Sequence, residues 1–343
     1  MRAIVKTFFA VALGCASVAT PAAARELVRV AWVKALVSGP LMIAKEKGYF
    51  NQADLDVEFE LAGTAANLMP MLATNRLQVL EGGLQANIFG AIAQNLPIVI
   101  ASDRASEPTG HYLLIRPELR GVVKGVADLK GRTIAAGATG SVFYYEMDRL
   151  LNSAGLSLKD VEMKTVGITQ LGAGFRNGAI DAGIAYTPFT HLLPAQNLAA
   201  QLLAIDTVIK RITTAVTMIN TDWARQKPDV ARRFFVALSR GVRDFCQGYH
   251  HGSNRAEVQD ILARTGVVDD PELFKYFWGS RRASGEVDVE SVVDVYDWFA
   301  REGAVARGLP VEKLVDNSFV RAANAELGPF VVENAADRTP GCE

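Results

Sequence analysis

The stretch LVRVAWVKALVSGPLMIAKEKGYFNQADLDVEFEL, residues 27–61, decides the fold. Leu27 to Val33 is an apolar run rich in β-branched residues and predicts a strand. Ser38-Gly39-Pro40 then opens a helix, because proline in a first helical turn removes only an N–H that has no partner there anyway. Leu41, Ala44 and Lys45 continue that helix and Gly48 stops it. Leu55 to Leu61 alternates apolar with acidic residues, the pattern of a half-buried strand. Strand, helix, strand within 35 residues is one turn of an α/β sheet.

The same rhythm extends in both blocks that follow. Gly63-Thr64 opens a helix with Leu68, Met71 and Leu72 on one face, and Leu77 to Leu80 is a short strand. Gly82-Gly83 leads into a helix carrying Ile88, Ile92 and Ala93. Pro97 to Ala101 is wholly apolar, as a strand buried on both faces requires. The pattern restarts with strands over His111–Ile115, Thr133–Ala136, Val161–Val166 and Ala179–Tyr186. Between them lie a short helix ending at Gly131, one from Ser141 to Gly155, and one over Gln170–Asn177. Two such blocks predict an α/β protein with two parallel sheets. The last third is helical. Pro228 starts a helix whose stripe is Val230, Phe234, Leu238, Val242 and Phe245, with Arg232, Arg233, Arg240 and Arg243 expected on a solvated face. Further helices are expected near Glu257–Arg264, Glu272–Trp278 and Val289–Glu302.

Composition sets the outer limits. Of 343 residues half are hydrophobic, which excludes wholesale disorder and suggests two domains. With 36 Lys and Arg against 37 Asp and Glu and no basic block, nothing points to nucleic acid. Arg2 and Lys6, the uncharged run Phe8–Ala19 and Pro21-Ala22-Ala23-Ala24 read as a secretory signal peptide, residues 1–24, cut after Ala24. Lipid attachment at Cys15 is the alternative, disfavoured by Ala12 where a lipobox carries leucine. No later stretch reaches the ~20 apolar residues of a membrane span. Export disfavours enzymes driven by ATP or nicotinamide and favours hydrolases and binding proteins. It also permits a disulfide between Cys246 and Cys342. The other reading is one buried helix cysteine and one free tail thiol.

Glycine-rich turns recur where strands meet helices: Ser38-Gly39-Pro40, Gly63-Thr64, Gly82-Gly83 and Gly137-Ala138-Thr139-Gly140-Ser141. Ligands of open α/β sheets bind at that edge, where free N–H groups and helix dipoles favour polar or anionic groups. No phosphate-binding loop and no Gly-x-Ser-x-Gly elbow is present. Gly172 to Asn177 has asparagine where a dinucleotide motif needs its third glycine. No metal site is expected: adjacent His250 and His251 cannot share one helix face and are read as an exposed helix end. His111 lies near the expected cleft, as either a ligand donor or a structural histidine. Trp32, Tyr144, Tyr145, Tyr186 and Phe189 also fall near these edges and suit a partly apolar organic ligand, although adjacent tyrosines cannot both face it.

The run Pro40 to Phe50 (PLMIAKEKGYF) resembles the opening of periplasmic binding proteins of ABC importers, in the group for sulfonates, nitrate, taurine and thiamine-pyrimidine precursors. Glu81-Gly82-Gly83-Leu84, Asn95 to Ile98, Ala127 to Arg132, Gly178 to Ala182, Thr187-Pro188-Phe189 and Val315 to Phe319 extend the resemblance in order along the chain. The resemblance implies a two-lobed, type II-like α/β fold, each lobe a mostly parallel sheet flanked by helices, with a helical C-terminal part. Residues 25–109 plus 211–305 would form lobe 1, 110–210 lobe 2, and 306–343 a C-terminal segment and tail. Ligand contacts are expected from Trp32, Ser38, Gly39, Gly63, Thr64, Gly82, Gly83, His111, Thr139, Gly140, Ser141, Tyr144, Tyr186 and Thr187. Many relatives carry a carboxylate before the Pro-Phe pair; Thr187 removes it and leans the site toward neutral or anionic ligands. Lys34 and Arg104 could add positive charge but are expected on solvated surface. The implied protein is a periplasmic, monomeric, cofactor-free receptor delivering a small molecule to an ABC permease and its ATPase. A periplasmic sensor docking on a membrane receptor, and a pyrimidine-synthase-like enzyme, are the alternatives.

Overall fold

The computed structural model describes residues 25–343 apart from 63–64, 269, 276–277, 335, 337–339 and 343. The expected leader with Cys15, and the expected ligand residues Gly63 and Thr64, lie outside the described residues.

Among the described residues ten strands form two five-stranded sheets. In chain order they are β1 (Glu26–Val33), β2 (Leu55–Ala62), β3 (Val79–Gly83), β4 (Ile98–Ser106), β5 (Tyr112–Ile115), β6 (Thr133–Ala135), β7 (Glu162–Lys164), β8 (Ala182–Ala185), β9 (Ala200–Ala204) and β10 (Thr213–Asn220). The first sheet runs β2-β1-β3-β10-β4 and the second β7-β6-β8-β5-β9. β1 pairs in parallel with β2 and β3, whereas β10 runs antiparallel to β3 and β4. The second sheet repeats this plan, with β6 parallel to β7 and β8, and β5 antiparallel to β8 and β9.

Each sheet therefore has four strands pointing one way and one reversed. The reversed strand is in each case the first one after the chain changes sheets. The chain leaves β4 at Ser106 and enters the second sheet as β5 at Tyr112. It leaves β9 at Ala204 and returns as β10 at Thr213. Eight of the ten strands match runs legible in the sequence; β9 and β10 do not. β10, TTAVTMIN, is buried at every residue and has neither alternation nor a glycine or proline turn before it. A short continuous run without punctuation carries little signal.

The helix Pro228–Tyr249 buries its expected stripe: Val230, Phe234, Leu238, Val242 and Phe245 are each at most 5% exposed. Burying each such side chain is worth roughly 1.5–3 kcal/mol. At Gly241 this helix meets the helix Gly39–Glu46 backbone to backbone, since a Cβ there would stand 2.2 Å from the carbonyl oxygen of Pro40. The arginines off the stripe are not simply solvated. Arg233 donates to the carbonyls of Ala53 and Asp54, and Arg243 to those of Leu327 and Gly328. The Arg240 guanidinium lies 3.7 Å from the Tyr49 ring centre, and Arg232 pairs with Asp229 and Glu326. These side chains fasten neighbouring segments to the long helix. The expected helix over 272–278 is instead a 3₁₀ turn, Pro271–Lys275.

Helix Val289–Arg301 joins the two halves. Its Asp294 accepts from Tyr145, and its Trp298 indole donates to Asp148, both on the second block's helix Val142–Ser153. The C-terminal end is tied back as well. Cys246 and Cys342 form a disulfide with Cα atoms 5.3 Å apart. His250, expected at an exposed helix end, is only 1% exposed, with Nε2 3.3 Å from the carbonyl oxygen of Cys342. The returning tail covers it.

Candidate functional site

The carboxyl ends of β1, β2, β3 and β8 point into one cleft of about 640 Å³ between the sheets. Val33 and Lys34 reach it from the end of β1, Leu61 and Ala62 from β2, and Gly83 with Leu84 and Gln85 from β3. Arg104, Ala105, Thr214 and Ala215 come from β4 and β10. Opposite them stand His111, Ser141, Val142, Phe143, Tyr186 and Thr187. Backbone hydrogen bonds join the two walls. Val142 N–H donates to Leu84 O at 3.2 Å, and Ala86 N–H to Gly140 O at 2.9 Å. These backbone hydrogen bonds bridge the mouth of the cleft.

Five of the expected ligand residues line this cleft: Gly83, His111, Ser141, Tyr186 and Thr187. Of the rest, those among the described residues sit elsewhere. Trp32 is 8% exposed and packs in the core beneath β1. Strand alternation sends it to the opposite face from its neighbours. Ser38 is fully buried, donates to Val33 O and accepts from Arg104, so it shapes the loop above the cleft. Gly39 faces Phe245 and Leu262, which a Cβ would meet at 3.0 and 2.8 Å. Gly82 precedes the cleft residue Gly83 on β3 and pairs with Val216. Thr139 and Tyr144 stand together outside the lining, hydroxyl to hydroxyl at 3.5 Å, and Gly140 contributes its carbonyl to the mouth contact.

Sequence reasoning missed Phe143. The helix begins at Val142, and that phase turns Phe143 rather than Tyr144 into the cleft, while Tyr145 is buried against Asp294. Phe143 and Tyr186 stack at 5.7 Å with planes 10° apart. Phe189 packs edge-on against Tyr186 from behind. Burial pushes the Tyr186 hydroxyl above its usual range, so it is a neutral donor at physiological pH.

Arg104 was missed differently. Expected in solvent, it is 1% exposed at the cleft floor, 3.1 Å from Glu81 and bonded to Ser38 Oγ. Its Nε and Nη1 have no hydrogen-bond partner. Burial pulls this guanidinium below its ordinary range, and Glu81 and Asp103 partly restore it. Arg281, buried behind it, is pulled down to about 10 by the same desolvation and donates to Val37 O. Asp103 is pushed up to about 6 by burial, against the Arg282 N–H and the nearby guanidinium groups. No Asp or Glu lines the cleft among the described residues, whereas Lys34 and Arg104 do. Among the described residues no cluster of His, Cys, Asp and Glu could hold a metal ion. No helix among them is long and apolar enough to cross a membrane.

Two α/β halves, joined by two chain crossings and closed over a cleft at their strand ends, are the architecture of periplasmic binding proteins. The chain belongs to the NMT1/THI5-like family, whose sequence pattern matches residues 36–248. It is 26% identical over 222 residues to the "Putative thiamine biosynthesis protein" of Haemophilus influenzae, covering 57% of this chain and 68% of that one. It is 22% identical over 301 residues to the "Putative aliphatic sulfonates-binding protein" of Bacillus subtilis, covering 84% and 85%. A 4-amino-5-hydroxymethyl-2-methylpyrimidine phosphate synthase of Saccharomyces cerevisiae is 22% identical over 217 residues; the match covers 59% of this chain and 62% of the yeast protein. Among solved structures, the alkanesulfonate-binding protein of Xanthomonas axonopodis bound to MOPS superposes with a TM-score of 0.69 at 18% identity, covering 86% of this chain and 99% of that one.

Proposed function

We propose that this protein is a periplasmic solute receptor that captures a small organic ligand, neutral or anionic, in the interlobe cleft and delivers it to an ABC permease. The observation that carries this reading is the cleft itself: about 640 Å³, apolar walls, an aromatic face, two cationic side chains and no carboxylate among its described lining residues. Ligand contacts fall to Gly83, His111, Ser141, Tyr186 and Thr187, with Gln85, Arg104 and Phe143 added. Lobe 1 is residues 25–109 with 211–305, lobe 2 is 110–210, and 306–343 completes lobe 1. A ligand touching both walls stabilises the closed arrangement, because it contacts both only when they meet. ATP hydrolysis belongs to the partner subunit, and no covalent change of the ligand is needed.

The Cys246–Cys342 disulfide supports an oxidising compartment, and with it removal of residues 1–24 as a leader. It also bears on the synthase relatives. The two described cysteines are joined to each other, away from the cleft, and offer no thiol to a reaction there. The test is native mass spectrometry of protein purified from its own cells, followed by thermal shifts with the released compound. A ligand that binds only the folded state raises stability by about 2.7 kcal/mol at a hundred times its Kd. A reproducible small molecule that restores the shift supports capture. Protein that carries nothing and responds to no anion, aromatic acid or pyrimidine refutes it.

A further inference from the structure

Residues 279–282 form a strap between the cleft and the long helix Pro228–Tyr249. Towards the cleft, Gly279 and Ser280 belong to its lining. Ser280 O accepts the Ser106 N–H at 3.3 Å, and Ser280 Oγ donates to Glu107 O at 3.3 Å. The Arg282 backbone N–H donates to Asp103 Oδ2 at 3.1 Å, and its guanidinium to Glu107 at 2.8 Å. The strap thus grips the end of β4, where the chain crosses to the second sheet. Behind the strap lie residues 340–342. The Cys342 N–H donates to Arg281 O at 2.9 Å. Gly341, at φ +107°, presses on the strap so closely that a Cβ there would stand 2.8 Å from Ser280 Cβ. The disulfide to Cys246 and a 2.6 Å bond from the Tyr249 hydroxyl to Pro340 O fix these residues to the long helix. Arg281 crosses the whole sandwich: its guanidinium lies 5.1 Å from the Phe245 ring centre and donates to the carbonyl of Val37, a cleft-lining residue.

We propose that residues 340–342, locked by Cys246–Cys342, are a clasp that sets this wall of the cleft, so that the wall is in place only in the oxidised chain. Ordering a short segment costs conformational entropy that a pair of hydrogen bonds barely offsets. The covalent tie keeps the clasp beside its seat, which makes docking intramolecular. Gln247 and Ser253 hold the tail at Val331 and Glu333, so losing the disulfide leaves the tail attached there and releases the clasp. Closing the disulfide passes two electrons and two protons from the thiols to an external disulfide, which leaves as two thiols. Cys246 and Cys342 are both fully buried, so the finished clasp is shielded from thiols in solution. The consequence for binding rests on the capture reading: tight binding starts after export and oxidation, and a chain still reduced where it was made does not sequester the ligand.

Hydrogen exchange on the full chain reads the clasp without any ligand. In Cys246→Ser/Cys342→Ser the amides of Ser106 and Arg282, which join the strap to β4, exchange about tenfold faster than in oxidised wild type, as the loss of a hydrogen bond's support predicts. The variant also loses the stabilisation that a long closed loop gives through the unfolded state, but that loss reaches only amides that exchange by complete unfolding. Gly341→Ala keeps the disulfide, as intact mass verifies, and forces Ser280 aside; it loosens the same two amides, and it carries the test if circular dichroism shows the serine variant unfolded. Equal protection of Ser106 and Arg282 in all folded proteins overturns the proposal, as does a loss no greater than that of the slowest amides in the chain. Native mass spectrometry of wild type and variant from the same cells reads the consequence. Wild type retains a co-purified small molecule that the variant has shed; equal loading with a loosened strap overturns the gating. Wild type that itself carries nothing removes the capture reading, and the exchange result still decides the clasp.

Discussion

Replacing Arg104 by methionine separates a buried ion pair from a solvated charge. The Arg104 and Glu81 side chains are 1% and 3% exposed, with nitrogen and oxygen 3.1 Å apart. Methionine fills much of the arginine stem but leaves Glu81 charged and buried without its partner, which costs about 3–5 kcal/mol. Ser38 Oγ also loses a donor, adding about 1 kcal/mol. The double variant Arg104→Met/Glu81→Met removes both charges together. It should be at least ~2 kcal/mol more stable than the single variant, because the stranded carboxylate is gone. Urea unfolding of wild type, both singles and the double gives the coupling directly, provided the slope with denaturant stays constant. A single variant that loses less than about 1 kcal/mol would place the arginine in solvent, where surface pairs contribute that little. A loss in the double equal to the sum of the two single losses would mean that the two groups do not depend on one another. Either result refutes the cleft floor described here.

Three further outcomes follow from particular residues. Trp32→Ala should destabilise by about 3–5 kcal/mol while leaving ligand affinity of the folded protein unchanged, and Tyr186→Ala should do the reverse; equilibrium unfolding and calorimetry on both variants check the pair. Asp103 is pushed from 3.8 to about 6 in the folded state, so the folded protein holds its proton more tightly than the unfolded chain. Its contribution is therefore greatest below the unfolded value and declines by about 3 kcal/mol as pH rises through 6. Wild type should therefore lose about 3 kcal/mol relative to Asp103→Asn as pH rises across that window, and a flat difference refutes it. Reduction of intact protein should add about two hydrogens in mass at Cys246 and Cys342, and no gain would mean two thiols.

What the sequence made legible is what is local. The strand at Leu27–Val33, the proline-led helix after Ser38 and the stripe of Pro228–Tyr249 declare themselves through periodicity and caps within a few residues. β10 does not, because its place between β3 and β4 depends on partners more than a hundred residues away. Arg104 reads as surface for the same reason: only that strand order carries it to Glu81 and Ser38. The cleft was found by its glycine-rich edges, which mark strand ends. Which side chain at an edge turns inward was not. One residue of helix phase separates Phe143 from Tyr144, and one step of strand alternation separates Trp32 from Val33.

The position of β10 also orders the birth of the molecule. The five strands of the second sheet are consecutive, Tyr112 to Ala204, so that sheet has all its members as soon as they have been synthesised. The first sheet has four strands in hand by Ser106 but cannot join β3 to β4 until residue 220 exists. For more than a hundred residues of synthesis its central edges stand open, and an open edge invites the wrong strand. The half made first is thus finished last, and any factor that guards the young chain has that interval to cover.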